Sequence, residues 1–418
     1  MNKEFIIFII IILFVLFLFN FVFYDKYKIP KGAEIEILSD RIDVYDEEKS
    51  IYDLIKKSNI NILTDDDRID TATVGEHTIT IQYKYKGIKK YLYDIKYTVV
   101  DNISPIFVKA PIASKSFYVN EASLEDLKKL ENKITYADNY DIYPKMTSEN
   151  DIDFTKVGTY TVNYTITDSS NNSVSKSTNI IIKERPIKND KEENIEEEVE
   201  EEEDDSIAFE NQIENYKTNN TMVGIDVSKW QGEIDFEKVK NSGCEFVILR
   251  IGVMKDKDSE LVKDNTFDIN YKNAKKAGLK VGIYVYSEAN NVETAKSNAE
   301  FIIKELNGDK LDFPIVFDWE SWTYFNSMEM NLHMLNEMFD EFSKTLKEAG
   351  YESMLYASEY YLNNVWLDLK NYDIWIAKYS EKMPEITNGN NKFKMWQNTC
   401  TGKIDGINSD VDLDIYYK

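Results

Sequence analysis

The sequence predicts a multidomain chain, with a modified eight-stranded (β/α) barrel at the C-terminus, two all-β sandwiches before it and one N-terminal transmembrane helix. Three observations support this fold class. Apolar strands alternate with amphipathic helices from Met222 onward, which is typical of α/β proteins. Residues 34–184 contain two copies of one pattern of short, alternating strands. Apart from Asn20, the residues from Phe5 to Tyr24 are apolar.

The composition excludes several classes of protein. A formal net charge of −25 argues against a nucleic-acid partner, because phosphate binding requires a basic surface. Cys244 and Cys400 are too few for a disulfide framework and their spacing fits no metal motif, so we predict neither a metal site nor a cofactor. Cys244 precedes an apolar strand and is predicted to be a buried small hydrophobe, with a Cys244–Cys400 disulfide as the alternative.

The apolar run at residues 5–24 is long enough to cross a bilayer, because twenty helical residues span roughly 30 Å. A cleaved signal peptide is the rival interpretation, but it requires small residues at a cleavage site, and the exit N-F-V-F-Y-D-K-Y-K has neither Ala nor Gly. We therefore predict an uncleaved anchor, with residues 1–4 in the cytoplasm. The flanking charges do not decide the orientation, which rests on the domains that follow. The predicted location is the cell membrane, single-pass, with the later domains extracellular.

An internal repeat follows the predicted anchor. Ile69–Tyr83 aligns with Ile152–Ile166, and the same offset aligns Ile95–Asp101 with Thr178–Glu184. A repeat of this length is one small domain rather than a unit of a solenoid. Each copy alternates apolar and polar residues in strands rich in Thr, Val, Ile and Tyr, which favours an antiparallel sandwich.

The two copies are predicted as modules at residues 34–101 and 102–184. Their pattern resembles the immunoglobulin-like modules of bacterial surface proteins. That resemblance implies spacers that hold a C-terminal domain away from the membrane, with binding to wall polymer as the alternative. Residues 185–215 are predicted to be an acidic disordered linker, because the run from 190 to 205 is almost wholly acidic and like charges at this density cannot bury a core.

The C-terminal domain is predicted to cover residues 222–418. Eight strands with fewer than eight full helices between them indicate a modified, TIM-like barrel. The predicted strands are Val223–Val227, Phe246–Gly252, Val281–Tyr286, Ile315–Glu320, Ser353–Ala357, Ile374–Ala377, Lys394–Gln397 and Val411–Tyr416.

Carboxylates mark three of these strands. Asp226 ends the first strand, Asp318 and Glu320 end the fourth, and Asp412 lies near the start of the last. Reacting groups in such barrels lie at the carboxyl ends of the strands, so a closed barrel would bring these four acids together. Because side chains alternate along a strand, Asp318 and Glu320 should share a face and Trp319 should point away into the layer between barrel and helices.

Eight short stretches carry a recognisable pattern along this domain. They are G-I-D-V-S-K-W-Q-G, I-D-F-E-K-V, F-V-I-L-R, G-I-Y-V-Y-S, P-I-V-F-D-W-E, I-W-I-A-K-Y, W-Q-N-T and V-D-L-D. With these stretches the domain resembles glycoside hydrolase family 25, the muramidases, in family order over nearly all of residues 222–418. Two positions depart from the family pattern: Val285 stands where His is frequent, and Asp414 where Asn is frequent.

The resemblance implies that Glu320 is the general acid, and that Asp226, Asp318 and Asp412 are the matching acidic positions. Glycoside hydrolysis requires a protonated acid at the leaving oxygen and a carboxylate facing the developing cation. Neighbouring carboxylates separate one another's pKa values, so we expect Asp318 to stay ionised while Glu320 holds a proton. Asp318 acts either as nucleophile or by orienting the substrate's 2-acetamido group. A spacing of about 6.5 Å along a strand fits retention and inversion alike, and the resemblance favours retention.

Aromatic side chains are the candidates for substrate binding, because sugars present flat C–H faces. The candidates are Tyr284, Tyr286, Tyr356, Trp375 and Trp396, with core packing as the alternative for each. The expected function is a membrane-anchored hydrolase that cleaves the β-1,4 bond between N-acetylmuramic acid and N-acetylglucosamine in peptidoglycan, for wall remodelling or lysis. A non-catalytic wall-binding or scaffold protein on the same barrel, and a glycosidase for another polymer such as chitin, are the alternatives.

Overall fold

A computed structural model describes residues 27–38, 40–46, 48–64, 68–186, 206–369, 371–389 and 392–418. The predicted cytoplasmic segment, the predicted transmembrane helix and residues 187–205 of the predicted linker lie outside this part of the chain. Among the described residues, no helix is both long and apolar enough to cross a membrane. The chain divides into two compact units, Met1–Ile103 and Ser104–Lys418.

The first unit is built from two small sheets, one pairing β1 with β3 and the other ordered β2-β6-β5-β4. One face of the long hairpin β5–β6 is buried: Ile81, Tyr83 and Ile95 are at most 1% exposed. The alternation read from the sequence therefore separates a core face from a solvent face. The elements are β1 (Ile35–Ile37), β2 (Arg41–Asp43), α1 (Ile51–Leu54), β3 (Ile55–Ser58), β4 (Asn61–Ile62), β5 (Gly75–Lys84) and β6 (Lys90–Val100).

The second copy of the repeat, here called module 2, comprises residues 104–186. Its sheets pair β7 with β9 and order the others β10-β11-β12-β8, which repeats the topology of the first copy. The central strands β5 and β11 each have 10 residues, and β6 and β12 each have 11, so the aligned segments form equivalent hairpins. The elements are β7 (Ile106–Lys109), β8 (Ser114–Tyr118), α2 (Leu124–Glu131), β9 (Thr135–Ala137), β10 (Lys145–Glu149), β11 (Gly158–Thr167) and β12 (Ser173–Lys183).

The rest of the second unit is a closed barrel with helices outside it. Two 3-10 helices, Lys229–Gln231 and Ser321–Ser327, follow barrel strands. The other elements are β13 (Ile207–Ala208), α3 (Phe209–Tyr216), β14 (Thr221–Val227), α4 (Phe236–Asn241), β15 (Phe246–Val253), β16 (Val262–Lys263), α5 (Phe267–Lys276), β17 (Lys280–Ser287), α6 (Val292–Leu306), β18 (Ile315–Trp319), α7 (Leu332–Glu348), β19 (Ser353–Ser358), α8 (Glu359–Asn364), β20 (Ile374–Ala377), β21 (Met395–Lys403) and β22 (Val411–Tyr417).

Eight strands close the barrel in the order β14-β15-β17-β18-β19-β20-β21-β22, and β22 returns to β14. Consecutive strands from β14 to β21 are parallel, whereas β22 is antiparallel to both of its neighbours. Helices α4 to α8 connect the first six strands, and within the described residues no helix lies between β20 and β22. An antiparallel strand needs only a short connection, which explains why no helix is required between β21 and β22.

Two apolar layers follow from the alternation of side chains along each barrel strand. The inner cluster contains Phe246, Val316 and Met354, and the outer cluster packs strand residues such as Phe317 against helix residues such as Phe339. On β18 the odd-numbered residues face the helices and the even-numbered ones face the barrel interior. This alternation directs Asp318 into the barrel.

The barrel domain begins earlier than the sequence predicted. The predicted linker extended to residue 215, but β13 pairs with β21 and Phe209 on α3 is 1% exposed. Gln212 and Asn398 exchange two amide hydrogen bonds, of 2.8 and 3.0 Å. Phe209 and Ile213 lie four residues apart and form an apolar stripe that packs on the barrel, so this segment is folded rather than part of a disordered linker.

Candidate active site

A pocket of about 250 Å³ opens at the carboxyl-terminal ends of the parallel barrel strands. Strands β14, β17 and β18, with the segments that follow them, supply most of its polar groups. The lining residues are Asp226, Val227, Ser228, Trp230, Gln231, Arg250, Tyr284, Tyr286, Asp318, Glu320, Tyr356, Trp375, Tyr379, Gln397 and Asp412.

The four acids singled out in the sequence all line this pocket. Asp226 and Asp412 are directly opposite one another in the antiparallel ladder between β14 and β22. Because β22 runs against the other strands, its beginning lies at the same end of the barrel as the ends of its neighbours. That is why an acid near the start of the last strand meets acids at the ends of the others.

Glu320 does not lie on the strand that the sequence assigned to it. Strand β18 ends at Trp319, and Glu320 has φ −133° and ψ 18°, which begins the 3-10 helix. The spacing of about 6.5 Å expected for two residues on one strand therefore does not apply to Asp318 and Glu320. Asp318 is 6% exposed inside the barrel, and Glu320 is exposed at the mouth of the pocket.

Trp319 faces away from the pocket, as predicted. Its side chain is fully buried and its Nε1 donates a hydrogen bond of 2.7 Å to the Ala289 carbonyl. Its ring meets that of Trp322 edge-on, with 4.7 Å between the centroids. The indole thus belongs to the layer between barrel and helices and fixes the end of β18.

The environment raises the pKa of both acids on this segment. Burial raises the pKa of Asp318 well above its ordinary value, and Glu320 and Asp226 raise it further, while the Arg250 guanidinium opposes the shift. Burial, followed by Asp412 and Glu288, raises the pKa of Glu320. The repulsion expected between the two carboxylates is therefore joined by loss of hydration, which is larger for the buried Asp318 and partial for Glu320 at the mouth. The free pocket does not favour the ionised form of Asp318 that the sequence led us to expect.

A second pair of acids lies across the pocket. Asp226 accepts a hydrogen bond of 2.8 Å from Gln397 Nε2, and burial, followed by Asp412, raises its pKa well above the ordinary value. Burial raises the pKa of Asp412 to about 6. These two carboxyl groups therefore retain protons closer to neutral pH than solvated aspartates do.

Asp414 was not among the predicted site residues, although it belongs to the same cluster of acids. It is fully buried, accepts a hydrogen bond of 3.0 Å from Trp375 Nε1, and lies two residues from Asp412 on the same face of β22. Burial, followed by the charge of Asp226, raises its pKa well above the ordinary value. The alternation in V-D-L-D contained this signal, because it directs both acids to the barrel interior.

Arg250 is the one cation among the described residues that line the pocket. Its Nη2 lies 2.7 Å from Asp264 Oδ2, and its Nε donates to the same oxygen at 2.8 Å. Burial would raise the pKa of Asp264, but hydrogen bonds from Thr266, Arg250 and Lys229 outweigh it and lower that pKa. The ion pair holds a positive charge within a strongly acidic pocket.

Four of the five predicted aromatic residues line the pocket: Tyr284, Tyr286, Tyr356 and Trp375. The Tyr356 hydroxyl donates to Gln397 Oε1 at 2.7 Å, and its ring meets Trp375 edge-on at 4.9 Å. The prediction that Trp396 binds substrate is wrong. It is 1% exposed in the outer cluster, where its Nε1 donates to the Lys378 carbonyl, so it does not reach the pocket.

Two exposed aromatic residues at the mouth of the pocket were not predicted. Trp230 is 73% exposed and Tyr379 is 57% exposed, and both line the pocket. Each offers a flat apolar face to a ligand at little cost in conformational entropy. Both stand in the quoted stretches K-W-Q-G and I-A-K-Y, but each follows a strand rather than lying on one, and strand alternation does not place such residues.

Neither cysteine forms a disulfide. Cys244 is buried, as predicted, and Cys400 is exposed, so the alternative of a Cys244–Cys400 bond is wrong for this structure. Burial raises the pKa of the Cys244 thiol to about 12. Cys244 therefore behaves as a small apolar residue.

Residues 225–407 match the family described as Glycosyl hydrolases family 25. The barrel is a family 25 glycosyl hydrolase domain. The matched range includes Asp226, Asp318 and Glu320, and it ends before Asp412. The domain is thus a glycoside hydrolase domain, and its pocket carries the paired carboxylates that glycoside hydrolysis uses.

Curated relatives and solved structures resemble this family 25 domain. The autolytic lysozyme of Clostridium acetobutylicum is 29% identical over 194 residues, which cover 46% of this chain and 55% of that protein. Lysozyme M1 of Streptomyces globisporus is 26% identical over 202 residues, 45% of this chain and 65% of that protein. A family 25 glycosyl hydrolase from Bacillus anthracis aligns with a TM-score of 0.42 and 23% identity, over 49% of this chain and 93% of that structure. The chain thus spans little more than half the length of the clostridial relative.

Proposed function

We propose that the family 25 domain hydrolyses peptidoglycan as an N-acetylmuramidase, cleaving the β-1,4 bond between N-acetylmuramic acid and N-acetylglucosamine. The observation that carries the proposal is the convergence of Asp226, Asp318, Glu320 and Asp412 on one pocket at the carboxyl ends of the strands. Two relatives are named as lysozymes, which supports peptidoglycan as the substrate. Wall remodelling or lysis is the role proposed for this reaction.

In this proposal Glu320 is the general acid. Its side chain is accessible at the mouth, where a glycosidic oxygen can reach it, while the pocket walls around it displace part of its hydration. This partial desolvation, followed by Asp412 and Glu288, raises its pKa. A carboxyl group with a raised pKa holds a proton near neutral pH and gives it to the leaving oxygen. Water then adds to the sugar cation or intermediate and returns a proton to Glu320, so the enzyme is regenerated.

Asp318 supplies the second carboxylate. Burial raises the pKa of Asp318 well above its ordinary value, and the Arg250 guanidinium opposes that rise without cancelling it. When Glu320 carries the proton, its charge no longer adds to the rise, which shifts Asp318 towards the ionised form. The ionised group acts as the nucleophile or orients the 2-acetamido group of the substrate. Both routes give retention, and an early NMR spectrum of the products would show the β-anomer; an α-anomer first would overturn both.

The test of the reaction uses the full-length chain and purified peptidoglycan. We expect soluble fragments with N-acetylmuramic acid at the reducing end, identified by mass spectrometry. Glu320→Gln should lower the rate by at least about 10²-fold, because it removes the proton donor and keeps the shape. Glu300→Gln, the same change on an exposed face of α6, is the matched control and should leave the rate unchanged.

The competing functions give different results in the same experiment. A protein that binds walls but releases no fragments would be a wall-binding or scaffold protein, and fragments from chitin but not from peptidoglycan would indicate another polymer. Full activity in Glu320→Gln would refute the assignment of the acid.

We further propose that residues 5–24 anchor the protein in the cell membrane, with the β-modules and the barrel outside the cell. The length of the apolar run and a substrate found in the wall support this location. The β-modules are proposed to be immunoglobulin-like, on the strength of their alternating strands. Extraction by detergent but not by alkaline carbonate, with cleavage of the barrel by protease added to intact cells, would agree with the anchor; release by carbonate would contradict it.

A further inference from the structure

Module 2 and the barrel share one hydrophobic core. They belong to the same compact unit. Val108 on β7 is fully buried and Ala137 on β9 is 2% exposed, and both lie in the cluster that contains the outer layer of the barrel. Ile106 packs against the same cluster. A spacer joined only by a linker would not share a core with the domain that it carries.

The contact falls on the 3-10 helix that follows Glu320. Thr135 Oγ1 donates a buried hydrogen bond of 2.8 Å to the carbonyl of Trp322. The next residue of module 2, Tyr136, donates its backbone N–H to Asn326 Oδ1 at 3.1 Å. Strand β9 therefore binds both ends of this helical segment.

A short chain of hydrogen bonds links module 2 to the backbone of Glu320. The Trp322 N–H donates to the Glu320 carbonyl at 2.7 Å, and the Trp322 carbonyl accepts from Thr135. The Trp322 ring is stacked on Tyr361, with 4.0 Å between centroids and 15° between planes. Trp322 is thus fixed on three sides, and two bonds separate Glu320 from module 2.

The next segment along the chain is bound in the same way. Asp138 accepts a hydrogen bond of 2.8 Å at its carbonyl from the N–H of Leu332, and Tyr140 accepts one of 2.6 Å at its carbonyl from Asn331 Nδ2. Asn331 also caps α7, because its Oδ1 accepts from the N–H of Met334. Module 2 therefore spans the whole connection from Glu320 to the start of α7.

We propose that module 2 is a positioning element of the hydrolase, in which the bonds from Thr135 to Trp322 and from Tyr136 to Asn326 hold Glu320 in the orientation that catalysis requires. The inference rests on the proposed function, since it assigns Glu320 as the acid. It replaces the spacer role expected for this module. A displacement of about 1 Å in a reacting group costs on the order of 10²-fold in rate. Module 2 can therefore affect the rate by fixing the 3-10 helix that follows Glu320.

The test compares two buried threonines of module 2 in the full-length chain. Thr135→Val removes the hydroxyl that binds Trp322. Thr178→Val is the matched control, because Thr178 is 2% exposed and its hydroxyl donates at 2.7 Å to the Ile112 carbonyl, within the module and away from the barrel. Asn326→Ala, at an exposed position of the 3-10 helix, removes the second contact without touching the core.

We expect Thr135→Val to lower kcat about tenfold with KM within about twofold, which is the size of one lost buried hydrogen bond. Water that reaches Glu320 should also move the basic limb of the kcat–pH profile to lower pH. Asn326→Ala should act in the same direction. Thr178→Val should leave kcat and the pH profile unchanged, although it destabilises the module to a similar extent.

A second readout does not depend on activity. Amide hydrogen exchange of residues 321–328 should be about tenfold faster in Thr135→Val and unchanged in Thr178→Val. Wild-type exchange and a wild-type pH profile in both Thr135→Val and Asn326→Ala would overturn the inference. A wild-type protein that releases no fragments would overturn the proposed function instead, and exchange would still decide whether module 2 orders the segment.

Discussion

Asp414 is a carboxyl group that the fold holds in a fully buried position. It lies between Trp375 and the strand that carries Asp226. Burial and then Asp226 raise its pKa, so the carboxyl group is held in its protonated form at higher pH than a solvated aspartate. A protonated carboxyl group offers one donor and one acceptor, as an asparagine amide does. An asparagine at this position could therefore still accept the hydrogen bond that Trp375 Nε1 donates to Asp414.

Replacing Asp414 with Asn should accordingly be mild for activity, with the rate within about twofold of wild type, and stabilising above pH 5. A carboxyl group whose pKa is raised by folding contributes stability at low pH that is lost as pH rises towards its folded pKa. Asn removes this loss, so the difference between the unfolding midpoints at pH 5 and pH 7 should narrow. Calorimetry at both pH values measures it, with Asp405→Asn on the exposed surface as control. An equal difference in wild type and Asp414→Asn would show that Asp414 is ionised.

The position of a single residue in the site was predictable where its residue type and the alternation along its strand both pointed to the barrel interior. Asp226, Asp318 and Glu320 were proposed because they stand at or just after the ends of apolar strands, and Asp412 because it stands near the start of the last one. Trp396 was placed wrongly because it and Gln397 are adjacent on β21, and only one of them faces the pocket. When both faces of a barrel strand are buried, hydrophobicity does not say which face is inside. Gln397, the polar member of the pair, was the better indication of the inward face.

At the scale of elements, the end of β18 decides the geometry of the site. The last pairs of β18 with its neighbours are Trp319 with Ser287 and Asp318 with Tyr356. The alternation F-P-I-V-F-D-W-E continues one residue further, so the sequence predicted a strand through Glu320. The strand ends where its neighbours stop pairing, which is a long-range property that no local pattern contains.

Helix α3 is the element whose presence the sequence analysis missed, and its contribution to stability is measurable. Phe209→Ala in the full-length chain should destabilise the second unit by about 3–5 kcal/mol, because it removes a fully buried ring from the outer layer. Asn211→Ala, at an exposed position of the same helix, should change stability by less than about 0.5 kcal/mol. Urea unfolding followed by tryptophan fluorescence reports both. Equal midpoints for the two variants would mean that α3 behaves as the linker first expected.

At the scale of the whole molecule, the repeat and the barrel strands were predictable, because each rests on a pattern of alternation that the sequence contains. The packing of module 2 against the barrel could not be predicted. Val108 and Ala137 are small apolar residues on short strands, and the same pattern would serve the core of an isolated sandwich. Only the folded shape shows that these residues pack against the barrel. Boundaries at 102–184 and 222–418 therefore divided one compact unit into two.

Four acids that line the pocket, together with the buried Asp414 beside them, have raised pKa values and make the stability of the barrel depend on pH. In each case burial is the main cause of the rise, and for Asp412 the pKa reaches about 6. At these five groups the folded state therefore binds more protons than the unfolded state between about pH 4 and the raised values, so the stability that they contribute is lost as pH rises through this range. The formal net charge of −25 adds surface repulsion in the same direction.

We expect the unfolding midpoint of the barrel to fall by at least about 5 °C between pH 5 and pH 8. Salt separates the two causes, because 0.5 M NaCl screens surface repulsion and leaves burial of the pocket acids unchanged. Calorimetry across this range with and without salt should show that a substantial part of the fall persists in salt, and that Asp226→Asn reduces the persistent part. A fall abolished by salt would assign the pH dependence to the acidic surface. A midpoint that rises towards pH 8 would mean that the pocket acids are stabilised in their ionised forms, and that burial does not control their protonation.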